Sequence, residues 1–175
     1  MAKAYQPATA PSEIDWARLA AYVDGEGHIA IKDSKYKTKS GEARNYHVMT
    51  VAVHNSGIYL MKWLVKTFGG AYWLSHSKHN RPAHWHDCWK WELSSGNAEN
   101  ALRHILPFLL VKSEQAEVAL ALRATVSKRG IRVVRDAKGH ILGHMDVDPA
   151  VLEKRAALKT KIMEINSRRG SVVNG

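Results

Sequence analysis

With 175 residues, 45% of them hydrophobic, the chain is long enough for one compact domain with a tail and too apolar to be globally disordered. Lys and Arg total 26 against 16 Asp and Glu, a net charge of +10 and a pI near 9.8, which points to a polyanionic partner. No apolar run reaches membrane-spanning length, the first residues lack the apolar block of a secretion signal, and the single cysteine, Cys88, cannot form an internal disulfide, so the expectation is an intracellular protein in a reducing compartment.

Residues 1–11 are small, polar and Pro-containing, and read as a flexible arm. Ser12-x-x-Asp15 then opens a helix in the manner of a capping box. Trp16, Leu19 and Val23 give that helix a bulky stripe suited to a core. Ala17, Ala20, Ala21 and Asp24 give it a second stripe, small enough for another helix to approach closely. Gly25 and Gly27 are expected to end it. Alternation follows from His28 to Lys32, with Ile29 and Ile31 on one side and His28, Ala30 and Lys32 on the other. Residues 33–46 are polar and basic and read as a turn between strands. His47 to Val53 alternates again.

The spacing of Ile58, Met61, Leu64, Val65 and Phe68 predicts a helix from about Ser56 to Phe68, stopped by Gly69-Gly70. Ala71 to Ser77 reads as a third strand, His79 to Ala83 as a turn and Asp87 to Leu93 as a fourth strand. In that strand Trp89, Trp91 and Leu93 point inward and Cys88, Lys90 and Glu92 outward. A helix from about Asn97 to Leu106 is broken by Pro107, and another spans roughly Lys112 to Lys128. The order is αββαββα. It predicts an α+β domain over 12–128, a four-stranded antiparallel sheet with helices on one face. The bare face carries His28, Lys32, Lys90 and His76, a cationic surface shaped to lie along a DNA groove. Residues 129–175 form a basic extension, with a hairpin between Ile131 and Asp146 and a helix from Pro149 to Arg169.

His76, His79, His84 and His86 with Cys88 raise the alternative of a zinc-containing nucleic-acid-binding module, but their spacing is irregular and lacks paired CxxC or HxxxH elements. Histidines on a hairpin tip that meets DNA account for them more simply.

Leu19-Ala20-Ala21-Tyr22-Val23-Asp24-Gly25-Glu26-Gly27 resembles the LAGLIDADG motif, with Leu19, Ala20, Asp24 and Gly27 identical to it. Three further passages resemble the same homing-endonuclease family, in the right order. They are Val53 to Gly70 with Asn55-Ser56 and Trp63-Leu64, Trp89 to Gly96, and Leu106-Pro107-Phe108-Leu109-x-x-Lys112-x-x-Gln115-Ala116. The tail from Glu164 to Gly170 resembles the ends of some bacterial and phage members.

The motif occurs once. The resemblance therefore implies a symmetric homodimer, paired through Ala17, Ala20, Ala21 and Asp24, that binds a long, nearly palindromic double-stranded DNA target and hydrolyses both strands. It also implies the saddle-like form of the sheet, and association with an intron or intein. By the same resemblance Glu26 binds a divalent metal together with the Gly25 carbonyl. The metal is Mg²⁺ or Mn²⁺, with Ca²⁺ as a non-cutting substitute. Lys112 reaches the active-site water network and the phosphate, and Asp24 caps the end of the partner's helix. Glu26 is one methylene longer than the commoner Asp. The family's polar residue near Val53 or His54 has no obvious counterpart, and His54 and Asn55 both remain open. Candidates for DNA contact are His28, Lys32, Ser34, Lys35, Lys37, Arg44, Thr50, His76, Lys78, Arg81 and Lys90. A non-cleaving relative, an RNA maturase or DNA-binding regulator on the same scaffold, is the rival reading.

Overall fold

The computed structural model describes residues 10–37, 43–75, 87–126, 133–135, 137–138, 141–144 and 147–171. Helix α1 spans Glu13–Glu26 and begins with the expected capping box. The Ser12 hydroxyl accepts from the Asp15 N–H at 3.2 Å, and the Asp15 carboxylate accepts from the Ser12 N–H at 3.0 Å. Gly25 lies inside the helix rather than ending it, and the chain turns at Gly27. A Cβ at Gly27 would sit 2.4 Å from the Val23 Cα, so β1 can leave α1 this tightly only from a glycine.

Strand β1 spans Gly27–Lys37 and β2 Ala43–Asn55, paired antiparallel from Gly27–Val53 through Lys37–Ala43. The turn expected over 33–46 is thus mostly strand. Apolar alternation marks a strand only where one face is buried, and this ribbon runs past the core with polar residues on both faces. Helix α2 (Ile58–Phe68) leads through Gly69 and Gly70 into β3 (Ala71–Leu74). Gly70 has a φ of 80° and its Cβ position lies 2.7 Å from the Glu92 carbonyl, so no other residue fits the turn without strain. Strand β4 (Trp89–Ser94), α3 (Ser95–Ile105), a 3-10 turn (Leu106–Phe108) and α4 (Ser113–Ala124) follow. Helix α4 is shorter than expected.

The sheet order is β1-β2-β4-β3, all antiparallel, with the helices on one face. The fold is therefore the α+β architecture that the element order implied. Ile29, Ile31, Met49, Val51, Val53, Trp91 and Leu93 point into the core with Trp16, Leu19 and Val23 of α1. The Trp91 indole donates to the Gly69 carbonyl at 2.9 Å, which satisfies its one polar atom in the interior.

The C-terminal extension joins the same core. Strands β5 (Val133–Arg135) and β6 (Ile141–His144) pair as the expected hairpin, and α5 (Pro149–Ser171) packs on α4 and β1. Ile162 and Ile165 are buried, each worth about 2 kcal/mol of hydrophobic stabilisation. The Asn166 amide donates to the Ile29 carbonyl at 3.1 Å, and Arg155 donates to the Thr125 carbonyl at 2.9 Å just past the end of α4. Lys159 pairs with Asp33 of β1. Helix α5 thus braces an edge strand through both apolar and polar contacts. Among the described residues no helix is long and apolar enough to cross a membrane. Residues 1–9 and 76–86 lie outside the described residues, and with them most of the expected arm at 1–11, the expected turn from His79 to Ala83, His76, Lys78, Arg81 and the histidines of the zinc alternative.

Candidate nucleic-acid interface and active site

The foot of α1 meets the start of α4 in a reciprocal arrangement. Three successive N–H groups leading into α4 donate to the Asp24 carboxylate: Leu110 at 2.7 Å and Val111 at 3.2 Å to one oxygen, Lys112 at 2.8 Å to the other. Such a run of N–H groups cradles an anion. In return the Lys112 ammonium donates to the Val23 carbonyl at 2.8 Å and the Asp24 carbonyl at 2.7 Å. Those carbonyls belong to the last turn of α1, where the helix dipole favours a cation, and the Val23 carbonyl also accepts from the Gly27 N–H. The two elements therefore end by capping each other.

Two expectations about a second chain bear on this junction. The resemblance implied that Asp24 caps a partner's helix, yet its carboxylate is engaged within its own chain. Ala20 is fully buried, because the helix phase groups it with Trp16, Leu19 and Val23 over the sheet, so it has no surface to offer a second chain. Ala17 is half-buried and Ala21 exposed. Beside them Ile14 is 65% exposed and, near Asp24, Leu110 is 90% exposed, an apolar surface that the chain leaves uncovered.

Glu26 is the last residue of α1 and is exposed, as is Gly25 before it. The Asn55 amide nitrogen donates to the Glu26 carboxylate. The amide cannot turn over without loss, because its oxygen accepts from the Gly57 N–H at 2.6 Å. That contact is an Asx-turn, the local bond through which an Asn fixes a turn two residues on. Of the two residues that the sequence left open, Asn55 is the one at Glu26. The legible signal was Asn55-Ser56-Gly57 between a strand and a helix. His54 lies instead on the open face, opposite Lys90.

Cross-strand register settles the sheet face. His28, Ala30, Lys32 and Ser34 of β1 align with Ala52, Thr50, Val48 and Tyr46 of β2, and then with Lys90, Glu92 and Ser94 of β4 and Trp73 of β3. Lys35 alternates to the other face, with Ile29 and Ile31. The side chains of Lys37 and Arg44 lie outside the described residues. Thr50, expected as a contact, is only 2% exposed on its inner strand, between Ala30 and Ser94, and its hydroxyl has no hydrogen-bond partner among the described residues. His28 keeps an exposed edge, but its neighbours on the sheet face partly bury the ring. This desolvation, aided by the charges of Lys32, Lys90, His54 and Lys112, holds its pKa below the ordinary imidazole value.

Lys32 and Lys90 both donate to Glu92. Burial works to raise the Glu92 pKa, but the hydrogen bonds and charges of the two lysines outweigh it and hold the carboxyl below the usual glutamate value. Neither Glu92 nor Trp73 stood among the expected contacts.

No protein-family model matches the chain, and no curated protein matches it. Solved structures do. The homing endonuclease I-CvuI in complex with its target superposes with a TM-score of 0.59 at 16% identity, over 87% of this chain and 82% of the other. The archaeal intron-encoded homing endonuclease I-Vdi141I, complexed with DNA, gives 0.58 at 11%, over 87% and 84%. The homing endonuclease I-TnaI gives 0.51 at 14%, over 91% and 99%. The chain shares the fold of these proteins, which is the fold that the resemblance implied.

Proposed function

We propose that this chain is a site-specific, metal-dependent DNA endonuclease that acts as a homodimer on a long, nearly palindromic duplex. The observation that carries the reading is the convergence of Glu26, Asn55 and Lys112 at the foot of α1, on the rim of a cationic open sheet. The solved structures of the same fold include complexes with DNA, which favours a nucleic-acid partner for this chain.

The donor set suits a hard divalent cation such as Mg²⁺ or Mn²⁺, since the Glu26 carboxylate and the Gly25 carbonyl offer oxygen ligands and both residues are exposed. It is also incomplete: no group of three or more His, Cys, Asp or Glu able to hold a metal occurs among the described residues. Phosphate oxygens and the second copy's Glu26 would complete it, and Ca²⁺ is expected to fill it without supporting cutting. When bound, such an ion lowers the pKa of a water and clamps phosphate oxygens in line. The chain's own contribution is position. Asn55 restrains the extra methylene of Glu26, and the carbonyls of α1 hold the Lys112 ammonium where charge develops on the phosphate. Ile14, Ala17, Ala21 and Leu110 supply the apolar surface for the two-fold contact. Coding within an intron or intein belongs to the same proposal, as does the division into an arm at 1–11, a core over 12–128 and an extension over 129–175.

The test is cleavage of randomised, near-palindromic duplexes in Mg²⁺ by the wild type and by Glu26→Gln. The wild type should cut both strands of a selected site. The variant should still bind it, two chains per duplex, with cleavage down about 1000-fold or more. Absence of cutting with any divalent ion, alongside tight binding, would favour the maturase or regulator reading. A single chain on the duplex would overturn the homodimer.

A further inference from the structure

A second cationic surface lies on the helix side of the molecule, behind the open sheet face. Helix α2 carries Tyr59, Lys62, Trp63 and Lys66 at steps of three and four, so they form one stripe along it. Tyr59 is 82% exposed, Lys62 and Lys66 are exposed, and Trp63 is half-buried against the core. The Lys62 ammonium stands 5.8 Å from the centre of the Tyr59 ring. Arg18 and Tyr22, one turn apart on α1, line an open groove of about 350 Å³ together with Leu60 and Trp63. The Tyr22 and Trp63 rings are 6.3 Å apart and tilted by 55°, so they do not cover each other's faces. On the other flank of α2, Lys62 and Lys66 border a smaller groove against Tyr72 of β3.

Neither α2 nor β3 contains an Asp or a Glu. On the α1 side Asp15 lies one turn before Arg18, but its carboxylate is held by the Ser12 hydroxyl and N–H. Cations gathered without carboxylates repel one another and suit a polyanion. A duplex seated on the open sheet does not reach them, because the sheet and the core beneath α2 lie between.

The rings narrow the class of polyanion. Phosphate binding alone has no use for exposed aromatic faces, whereas unpaired bases stack on them whatever their sequence. A duplex keeps its bases stacked inside and shows such a surface only phosphates. Folded RNA splays unpaired bases out of its loops and bulges, free to stack on aromatic side chains. An acidic peptide would satisfy the cations but brings no flat face to Tyr59.

We propose that the groove between α1 and α2 and the outer stripe of α2 form a site for an unpaired segment of RNA. Its phosphates lie against Arg18, Lys62 and Lys66, its bases stack on Tyr59 and Tyr22, and Trp63 floors the groove. The site goes beyond the duplex-cutting reading and does not depend on it. Because it faces away from the open sheet, both nucleic acids can be held at once.

Fluorescence anisotropy of the full chain with a labelled RNA hairpin carrying a long uridine loop, in Ca²⁺, tests it. The wild type should bind this hairpin about tenfold more tightly than fully paired RNA of the same length. Tyr59→Ala should weaken the binding about tenfold, and Tyr59→Phe, which keeps the ring, should not. Lys62→Gln with Lys66→Gln should reduce the slope of log affinity against log salt by about 1.4, at roughly 0.7 per phosphate of a single strand. These variants should keep the wild-type urea midpoint, since the side chains are exposed, and the wild-type affinity for duplex DNA. Equal binding of looped and paired RNA, no effect of Tyr59→Ala, or tighter binding of the same hairpin made of DNA would overturn the RNA site. A parallel loss of duplex binding would overturn its separateness from the sheet, and displacement of the hairpin by polyglutamate at equal charge would give the surface to an acidic partner instead.

Discussion

Two charged clusters lie on this molecule and use the same residue types to different ends. At the foot of α1 the charges face the backbone: Asp24 takes three N–H groups and Lys112 two carbonyls, each across the junction between α1 and α4. On the open sheet the charges face one another, as Lys32 and Lys90 share Glu92. A charge spent on backbone groups fixes where two chain segments meet. A charge spent on another side chain leaves the backbone alone and can be re-formed with a ligand. The first arrangement fixes the junction beside Glu26, and the second leaves charged groups that a ligand can reach.

The largest expected effect breaks the corner at its cation. Lys112→Met should lower the rate of strand cleavage about 100-fold, roughly 2.7 kcal/mol of transition-state stabilisation, while duplex binding falls far less. Single-turnover kinetics at saturating protein separates the two. A loss confined to binding would mean that Lys112 is only another phosphate contact, and the contrast between the clusters would lose its catalytic half.

A smaller effect breaks the corner at its anion. Asp24→Ala leaves three N–H groups without their shared acceptor and should destabilise the fold by about 2 kcal/mol, read from the urea midpoint. Monomer stability is the discriminating quantity here. If Asp24 served chiefly to cap a second chain, its removal would shift only the dimerisation constant.

Much of this was legible in the sequence for reasons that the structure makes plain. Ser12 and Asp15 announce α1 because a capping box is a local interaction. The inward set Ile29, Ile31, Trp91 and Leu93 is legible because burial enforces period-two alternation. The long ribbon of β1 and β2 was not, since beyond the core neither face is buried and nothing in the pattern marks Asp33 to Lys37 as strand. Ala20 goes with the small stripe by size, but its position round the helix sets it beside Trp16, Leu19 and Val23 in the core. Asn55 could be found from its turn chemistry, but its pairing with Glu26 joins residues 29 apart and needs the fold. The Glu92 cluster also needs the fold, since Lys32 and Glu92 are 60 residues apart and meet only across the width of the sheet. Alternation alone shows that both face outward.

The smallest expected effect sharpens the sheet side of the comparison. Glu92 titrates below the ordinary glutamate value of 4.5, held there by its lysines against the opposing effect of burial. A carboxyl whose folded pKa is depressed stabilises the fold above its unfolded pKa, and that contribution drains away as pH falls through the folded value. The difference in urea midpoint between wild type and Glu92→Gln should therefore be constant above about pH 5 and shrink below 4.5. It should also stay under about 1 kcal/mol throughout, because the lysines are partly solvated. A difference as large as that for Asp24→Ala would mean that the sheet cluster, too, is a structural joint. The three side chains would then hold one another too firmly to exchange partners with a ligand, and the distinction between the two clusters would fail.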